Sequence, residues 1–151
     1  MNIAQYTKAA SLEEAWELNQ KRSAVVLGGC CWLRLSPQRR IAQAIDLSAL
    51  GLDQIEEGED SFRLGAMVTL GQLEGYDGLA AFTQGAMKEA VRHIVGTQFR
   101  NMATVGGSIS GRFGFSDIWT LFLALDAQVE LYKGGIVSLT DAGVKEIQAH
   151  K

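Results

Sequence analysis

The chain has 151 residues, 47% hydrophobic and 21% charged, the proportions of a soluble globular protein with one domain or two small subdomains. A formal charge of −3 and a pI near 5.4 argue against a nucleic-acid or membrane-surface binder. The longest apolar runs, such as Ala24–Leu27 and Leu121–Leu125, fall far short of the ~20 residues of a membrane span.

The opening Met1-Asn2-Ile3-Ala4-Gln5 has neither the basic start nor the apolar stretch of a signal peptide, so a cytoplasmic location is expected. Ser11-Leu12-Glu13-Glu14 is a capping box that opens a short helix through about Gln20. Ala24-Val25-Val26-Leu27 reads as a buried strand ending at Gly28, Pro37 as part of a loop, and Ala42–Leu47 as a second buried strand. Asp46–Asp60 contains six acids and no base, the pattern of a solvated connection, and it places a subdomain boundary near Gly58. Two units are therefore expected, at residues 1–57 and 58–151.

Beyond the acidic run, Ser61–Leu64 reads as a strand, and Thr69 caps a short helix through Leu73 and Glu74. Leu79 to Ile94 reads as one longer helix with Phe82, Ala86, Ala90, His93 and Ile94 near one face. Asp117 precedes an apolar helix over Ile118–Leu125. Val129–Tyr132 and Ile136–Leu139 alternate about the turn Lys133-Gly134-Gly135, and Thr140-Asp141 caps a last polar helix. The fold class is α+β, with a small N-terminal β/α unit and a larger unit of mixed or antiparallel sheet with helices.

Two glycine pairs stand out. Gly28-Gly29 and Gly106-Gly107 each follow an apolar run, and each lies in a window without acids. Leu18–Ile45 carries +5 and Ala90–Ser116 carries +3, which leaves −11 for everything outside them. Glycine lets consecutive backbone N–H groups converge on one point, and nearby cations favour an anion there. Two such loops on one small protein have the character of a clamp around a diphosphate. A glycine-rich turn without a ligand fits the second pair equally well.

Other chemistries find little support. The dinucleotide pattern Gly-x-Gly-x-x-Gly, the phosphate loop ending in Gly-Lys-Ser/Thr and the Gly-x-Ser-x-Gly elbow are all absent. Cys30 and Cys31 are the only cysteines, and His93 and His150 the only histidines, so no metal-ligand set is expected. The adjacent cysteines read either as small residues filling a loop or as a reactive thiol beside a cofactor. No catalytic side chain stands out, and electron chemistry would fall to a cofactor.

Four segments carry a resemblance: Val25–Trp32, Gly65–Glu74, Phe99–Ile109, and Ser116-Asp117 with Leu123–Ala127. In order and spacing they resemble the FAD-binding subunit of the molybdenum hydroxylases, the family of xanthine dehydrogenase and carbon monoxide dehydrogenase. The sharpest is Ala103-Thr104-Val105-Gly106-Gly107-Ser108 with Asp117 ten residues after Gly107. The resemblance implies a two-subdomain FAD-binding fold of the PCMH type. It assigns to the cofactor Val25, Val26, Leu27, Gly28, Gly29, Cys30, Cys31 and Trp32 on one side and Thr104, Val105, Gly106, Gly107 and Ser108 on the other. Both loops are expected to act largely through backbone N–H groups. Asp117 is expected to accept from adenosine-side hydroxyls and Ile94 to lie against the cofactor; taken alone, Asp117 reads as a helix N-cap.

The implied function is electron transfer, from a molybdopterin subunit through an iron–sulfur subunit to FAD and then to NAD or another acceptor. The chain departs from the family in placing Cys30 and Cys31 after the first glycine pair, and in stopping soon after the Lys133–Leu139 hairpin, where family subunits continue into a C-terminal domain. The competing expectations are a shortened, non-catalytic flavin-binding or interaction module, and a fragment of a longer subunit that self-associates as a homodimer in isolation.

Overall fold

The computed structural model describes residues 2–35 and 40–142. The Pro37 loop and the part of the last polar helix beyond Ala142 lie outside the described residues.

The N-terminal unit is built on three parallel strands in the order β1-β3-β2: β1 (Asn2–Lys8), β2 (Ala24–Leu27) and β3 (Arg40–Asp46). The central strand is the buried one, with Ile41, Ala44 and Ile45 at 0–1% exposure. β2 is an edge strand, not the buried strand its apolar run implies, and Val26 is 41% exposed. Helix α1 (Leu12–Asn19) begins as its sequence dictates. Ser11 Oγ accepts from Glu14 N–H at 3.1 Å, and the Glu14 carboxylate accepts from Ala10 N–H at 2.8 Å. Ala15 and Leu18 on α1 pack with Ala9, Ala24, Ile45, Leu47 and Leu50 to form the first apolar cluster.

The second unit is mostly helical. Strands β4 (Ile55–Glu57) and β5 (Phe62–Leu64) form one antiparallel hairpin, and β6 (Gln128–Leu131) and β7 (Gly135–Ser138) form another. The antiparallel pairing expected there is thus present as two separate ribbons among the described residues instead of one larger sheet. Part of the acidic run is β4 itself, and Gly58 sits in the hairpin turn, donating its N–H to Ser61 O at 2.8 Å. The first cluster reaches Leu50, and the second, Cys31 apart, begins with Ile55. We therefore propose the division between those residues, because a cut at 57/58 would split a hairpin.

Helices α2 (Leu70–Gly75), α3 (Asp77–Phe82), α4 (Ala86–Arg92), α5 (Thr97–Arg100), α6 (Val105–Gly111), α7 (Asp117–Ala124) and α8 (Leu139–Ala142) complete the unit. The single helix expected over Leu79–Ile94 is two, because Gln84 and Gly85 both take positive φ, 51° and 87°, and end α3. The break resets the helical face. Leu79, Met87 and Val91 enter the core, whereas Phe82 is 52% exposed and His93 is exposed. With Val68, Leu70, Leu73, Ile118, Phe122 and Leu139 they form the second cluster. No helix among the described residues is long and apolar enough to cross a membrane.

Candidate functional site

The first glycine loop leaves the carboxyl end of β2, the end of a parallel strand at which α/β sheets bind ligands. It lands directly on the second loop. A Cβ added to Gly28 would lie 2.8 Å from Thr104 Oγ1 and 3.6 Å from Gly107 Cα. One added to Gly29 would lie 1.7 Å from the Met102 carbonyl oxygen, closer than atoms can come. The two acid-free windows of the sequence therefore meet in space, and glycine is what allows the meeting.

The loops differ in what their backbones offer. In the second loop the donors are spent: Val105 N–H bonds Val68 O and Gly106 N–H bonds Ala66 O, each at 2.8 Å, while Ser108 N–H bonds Thr104 O at 2.9 Å. Gly107 N–H bonds Thr104 Oγ1 at 3.2 Å, the N-cap contact of α6. The Gly65–Glu74 motif explains this arrangement. Thr69 caps α2 in a full capping box with Gln72 and forms a β-bridge to Thr104, so the 66–70 segment is stitched along the loop. In the first loop, no carbonyl among the described residues accepts from Gly28, Gly29, Cys30, Cys31 or Trp32 N–H. Cys30 takes φ 58° there, the left-handed turn that lets neighbouring N–H groups converge.

Both cysteines are turned inward. The Cys30 thiol donates to Gly28 O at 3.3 Å and the Cys31 thiol to Gly29 O at 3.6 Å. Burial pushes both thiols above the ordinary cysteine range, and Arg34 only partly opposes the rise. They are protonated side chains and not activated nucleophiles. Cys31 also packs against the second apolar cluster, so it plugs the N-terminal loop into the other unit.

Asp117 is not the cap of α7. Ser116 Oγ accepts from Trp119 N–H at 3.3 Å, which leaves the exposed Asp117 carboxylate in the first turn with no protein partner among the described residues. The half-buried Ser108 contributes a hydroxyl in the same condition. Ile94 packs on the second cluster, the one that also takes Cys31 of the first loop and Val105 of the second. The Ile94 carbonyl accepts from Arg100 Nη1 at 3.2 Å, and Arg100, 7% exposed, is paired with Glu74 at 2.7 Å. The pair fixes the turn in which Val95 takes φ 51° at 77% exposure.

Three features were not anticipated from the sequence. Trp32, at the end of the first loop, packs at a tilt against Phe113 and edge-on to Phe115, ring centroids 4.8 and 5.8 Å away. Arg112 buries Nη2 without an acceptor among the described residues. Two concavities, one lined by Asp53, Gln54, Ile55, Gln72, Gly75 and Tyr76 and the other by Leu47, Ser48, Leu52, Asp53, Met67, Thr69 and Gln72, include no residue of either glycine loop.

Two apposed glycine loops, the first with no backbone acceptor for its N–H groups among the described residues, have the geometry of a module for a phosphate-bearing cofactor. Residues 2–140 match the family model described as the FAD binding domain in molybdopterin dehydrogenase, and the chain belongs to that family. It is 32% identical over 142 residues to the protein YgfM of Escherichia coli (strain K12), covering 92% of this chain and 53% of the relative. It is 33% identical over 132 residues to the nicotine 6-hydroxylase medium subunit of Paenarthrobacter nicotinovorans, covering 83% and 46%. Its fold superimposes on a chain of the Cu,Mo-CO dehydrogenase in its cyanide-inactivated form with a TM-score of 0.82 at 26% identity, covering 93% and 52%. Against carbon monoxide dehydrogenase from Hydrogenophaga pseudoflava the values are 0.79, 25%, 89% and 49%. The chain spans about half the length of the curated relatives it matches.

The family's cofactor is FAD, and the residues present fit its diphosphate. Among the described residues the first loop's N–H groups have no backbone acceptor and Arg112 Nη2 has no partner, and a Cβ on Gly107 would meet nothing but Thr104 Oγ1.

Proposed function

We propose that this chain is the flavin-holding link of a xanthine dehydrogenase-like molybdenum hydroxylase in the cytoplasm. It would stand between an iron–sulfur subunit, itself served by a molybdopterin subunit, and NAD or another acceptor. The observation that carries the reading is the contact of the two glycine loops, one whose N–H groups have no backbone acceptor among the described residues and one whose donors are spent. When bound, FAD supplies the two-electron redox chemistry. Val25, Val26 and Leu27 carry the chain to the first loop, whose Gly28–Trp32 N–H groups hold the diphosphate oxygens. Thr104, Val105 and Gly106 build the facing wall. Gly107 keeps that wall low, and the Ser108 hydroxyl donates across it. Asp117 accepts from sugar hydroxyls, and Ile94 lies against the flavin side.

Titration of the purified chain with FAD, followed by flavin fluorescence and visible absorption, tests the reading. One site per chain with micromolar or tighter affinity is expected. Absence of binding at high micromolar FAD refutes it. If such a chain also self-associates, the second reading, a non-catalytic interaction module forming a homodimer, takes its place.

A further inference from the structure

The seam between the two units is packed closely but bonded sparsely. Gly28 and Gly29 lie against Thr104, Gly107 and Met102, and Cys31 reaches the second cluster. Among the described residues, the only hydrogen bonds between residues 2–50 and 55–142 end on one carboxylate. Glu13 Oε1 accepts from Lys133 Nζ at 2.5 Å and Glu13 Oε2 from the Tyr132 hydroxyl at 2.8 Å. Lys133 Nζ also stands 4.0 Å over the ring of Trp16, which shares a face of α1 with Glu13, three residues before it. The β6–β7 turn is shaped for this contact. Lys133 takes φ 58°, a conformation few side chains adopt, although two glycines follow it. The chain itself crosses between the units at a different kind of point. Leu50 belongs to the first cluster, whereas the Leu52 and Gln54 carbonyls accept from Met67 and Gly65 N–H at 2.8 and 3.0 Å, which fixes them to the second unit. Gly51 stands between, at φ 65°, with nothing but its chain neighbours within 4 Å of where a Cβ would lie. A glycine in open space at positive φ can turn at little cost.

We propose that Gly51 is a hinge between the two units and that Glu13, with Trp16, Tyr132 and Lys133, is the clasp that holds it closed. The clasp residues are positioning residues, and none is among those assigned to the cofactor. The first glycine loop belongs to the N-terminal unit and the facing wall to the second, so the angle at the hinge sets how the two walls meet. The glycine contacts are van der Waals contacts and fix a distance, whereas the two bonds on Glu13 fix a direction as well. A ligand that needs both walls binds the closed form, and its apparent affinity scales with the fraction of chains closed. The inference rests on the flavin reading above, because FAD is the ligand whose affinity reports closure.

The test compares Glu13→Ala, Lys133→Met and their combination with the parent chain by flavin-fluorescence titration and stopped-flow FAD release. The temperature is one at which circular dichroism shows every variant fully folded, so a lost affinity cannot come from unfolding. Each single variant is expected to bind FAD roughly two- to fivefold more weakly, the range of an exposed ion pair, chiefly through faster release. The double variant is expected to be no weaker than the worse single one, and the gap from the parent to narrow in high salt. Carbodiimide coupling of the parent chain without ligand, read by mass spectrometry, is expected to join Glu13 to Lys133 by an amide bond. Unchanged FAD affinity in the variants of a chain that binds FAD overturns the clasp and leaves the flavin reading intact. Losses that add in the double variant mean that the residues act separately, and overturn the clasp as well. Absence of the Glu13–Lys133 amide overturns it without reference to any ligand. A parent chain that binds no FAD overturns the flavin reading and the dependence of affinity on closure together.

Discussion

Gly107 separates folding from cofactor binding more sharply than any other residue. It is the third residue of α6, where alanine is favoured over glycine by about 1 kcal/mol. A Cβ there meets only Thr104 Oγ1, at 3.0 Å, so the capping hydroxyl must yield by a few tenths of an ångström. Loss of that cap costs about 1 kcal/mol. The two effects offset, and Gly107→Ala should move the melting temperature by no more than about 4 °C in a chain of this size. In the proposed clamp the same methyl would stand on the open face of the wall and hold a phosphate off. Each hydrogen bond to a charged oxygen lost or lengthened in this way is worth about 1.5–3 kcal/mol, or roughly 10- to 150-fold in affinity. Gly107→Val should do the same more severely. Thermal melting and flavin-fluorescence titration of the parent chain and both variants read the two quantities independently. A folded Gly107→Val chain with unchanged FAD affinity would show that the wall does not border the ligand, and the two-loop clamp would have to be abandoned.

The neighbouring glycine should behave in the opposite way. Gly29→Ala sets a methyl 1.7 Å from a backbone oxygen that cannot rotate aside. Its cost belongs at the upper end of overpacking, about 3 kcal/mol. A fall of roughly 6–12 °C in melting temperature is expected, with FAD affinity lost alongside; an unshifted melt would mean that the loops do not touch in solution. A pH dependence comes from the far side of the molecule, where Lys133 donates to Glu13 at 2.5 Å and stands 4.0 Å over the Trp16 ring, while Tyr132 donates to Glu13 at 2.8 Å. The bonds from Lys133 and then Tyr132 hold the Glu13 carboxyl below its ordinary 4.5, and Glu13 holds Lys133 above its ordinary 10.5. The carboxylate contribution is full above 4.5 and fades as pH falls through the lowered folded value. The lysine contribution is full below 10.5 and fades as pH rises through the raised one. Glu13→Gln should therefore melt slightly below the parent chain between those values, with the gap closing towards either extreme and in high salt. A gap that is constant across pH would assign the effect to packing instead.

The features legible in the sequence are those fixed by neighbours along the chain. Ser11 with Glu14, Thr69 with Gln72, and the turn at Lys133-Gly134-Gly135 each carry their hydrogen-bond logic within four residues, and all three stand where they were expected. The elements that escaped are those decided at a distance. Asn2–Lys8 alternates too weakly to announce a strand, and it becomes β1 only because β3 lies beside it. The run Ala24–Leu27 is apolar enough for the centre of a sheet, yet β3 takes that place and leaves β2 at the edge. Gln84 gives no sign of a left-handed residue, so Gly85 alone marked the α3–α4 break in the sequence. At the site, the two glycine pairs and Asp117 could be singled out by motif and charge. Their division of labour could not, because the carbonyls of Ala66 and Val68 that occupy the second loop are brought there by tertiary folding. Trp32 and Phe113 meet for the same reason, across the two units.

The seam between the two units has one further consequence. The first apolar cluster closes with residues up to Leu50 and the second with residues from Ile55 onward, while Cys31 and the apposed glycines join them. Under the proposed two-loop clamp neither half alone carries both walls of the cradle, so a chain with one half misassembled would have nothing for the cofactor to grip. Ligand that binds only the joined form stabilises it by about 2.7 kcal/mol at a hundredfold excess over Kd. Flavin content thus serves as a proofreading signal for the whole molecule: a yellow chain is one in which both halves have folded and found each other.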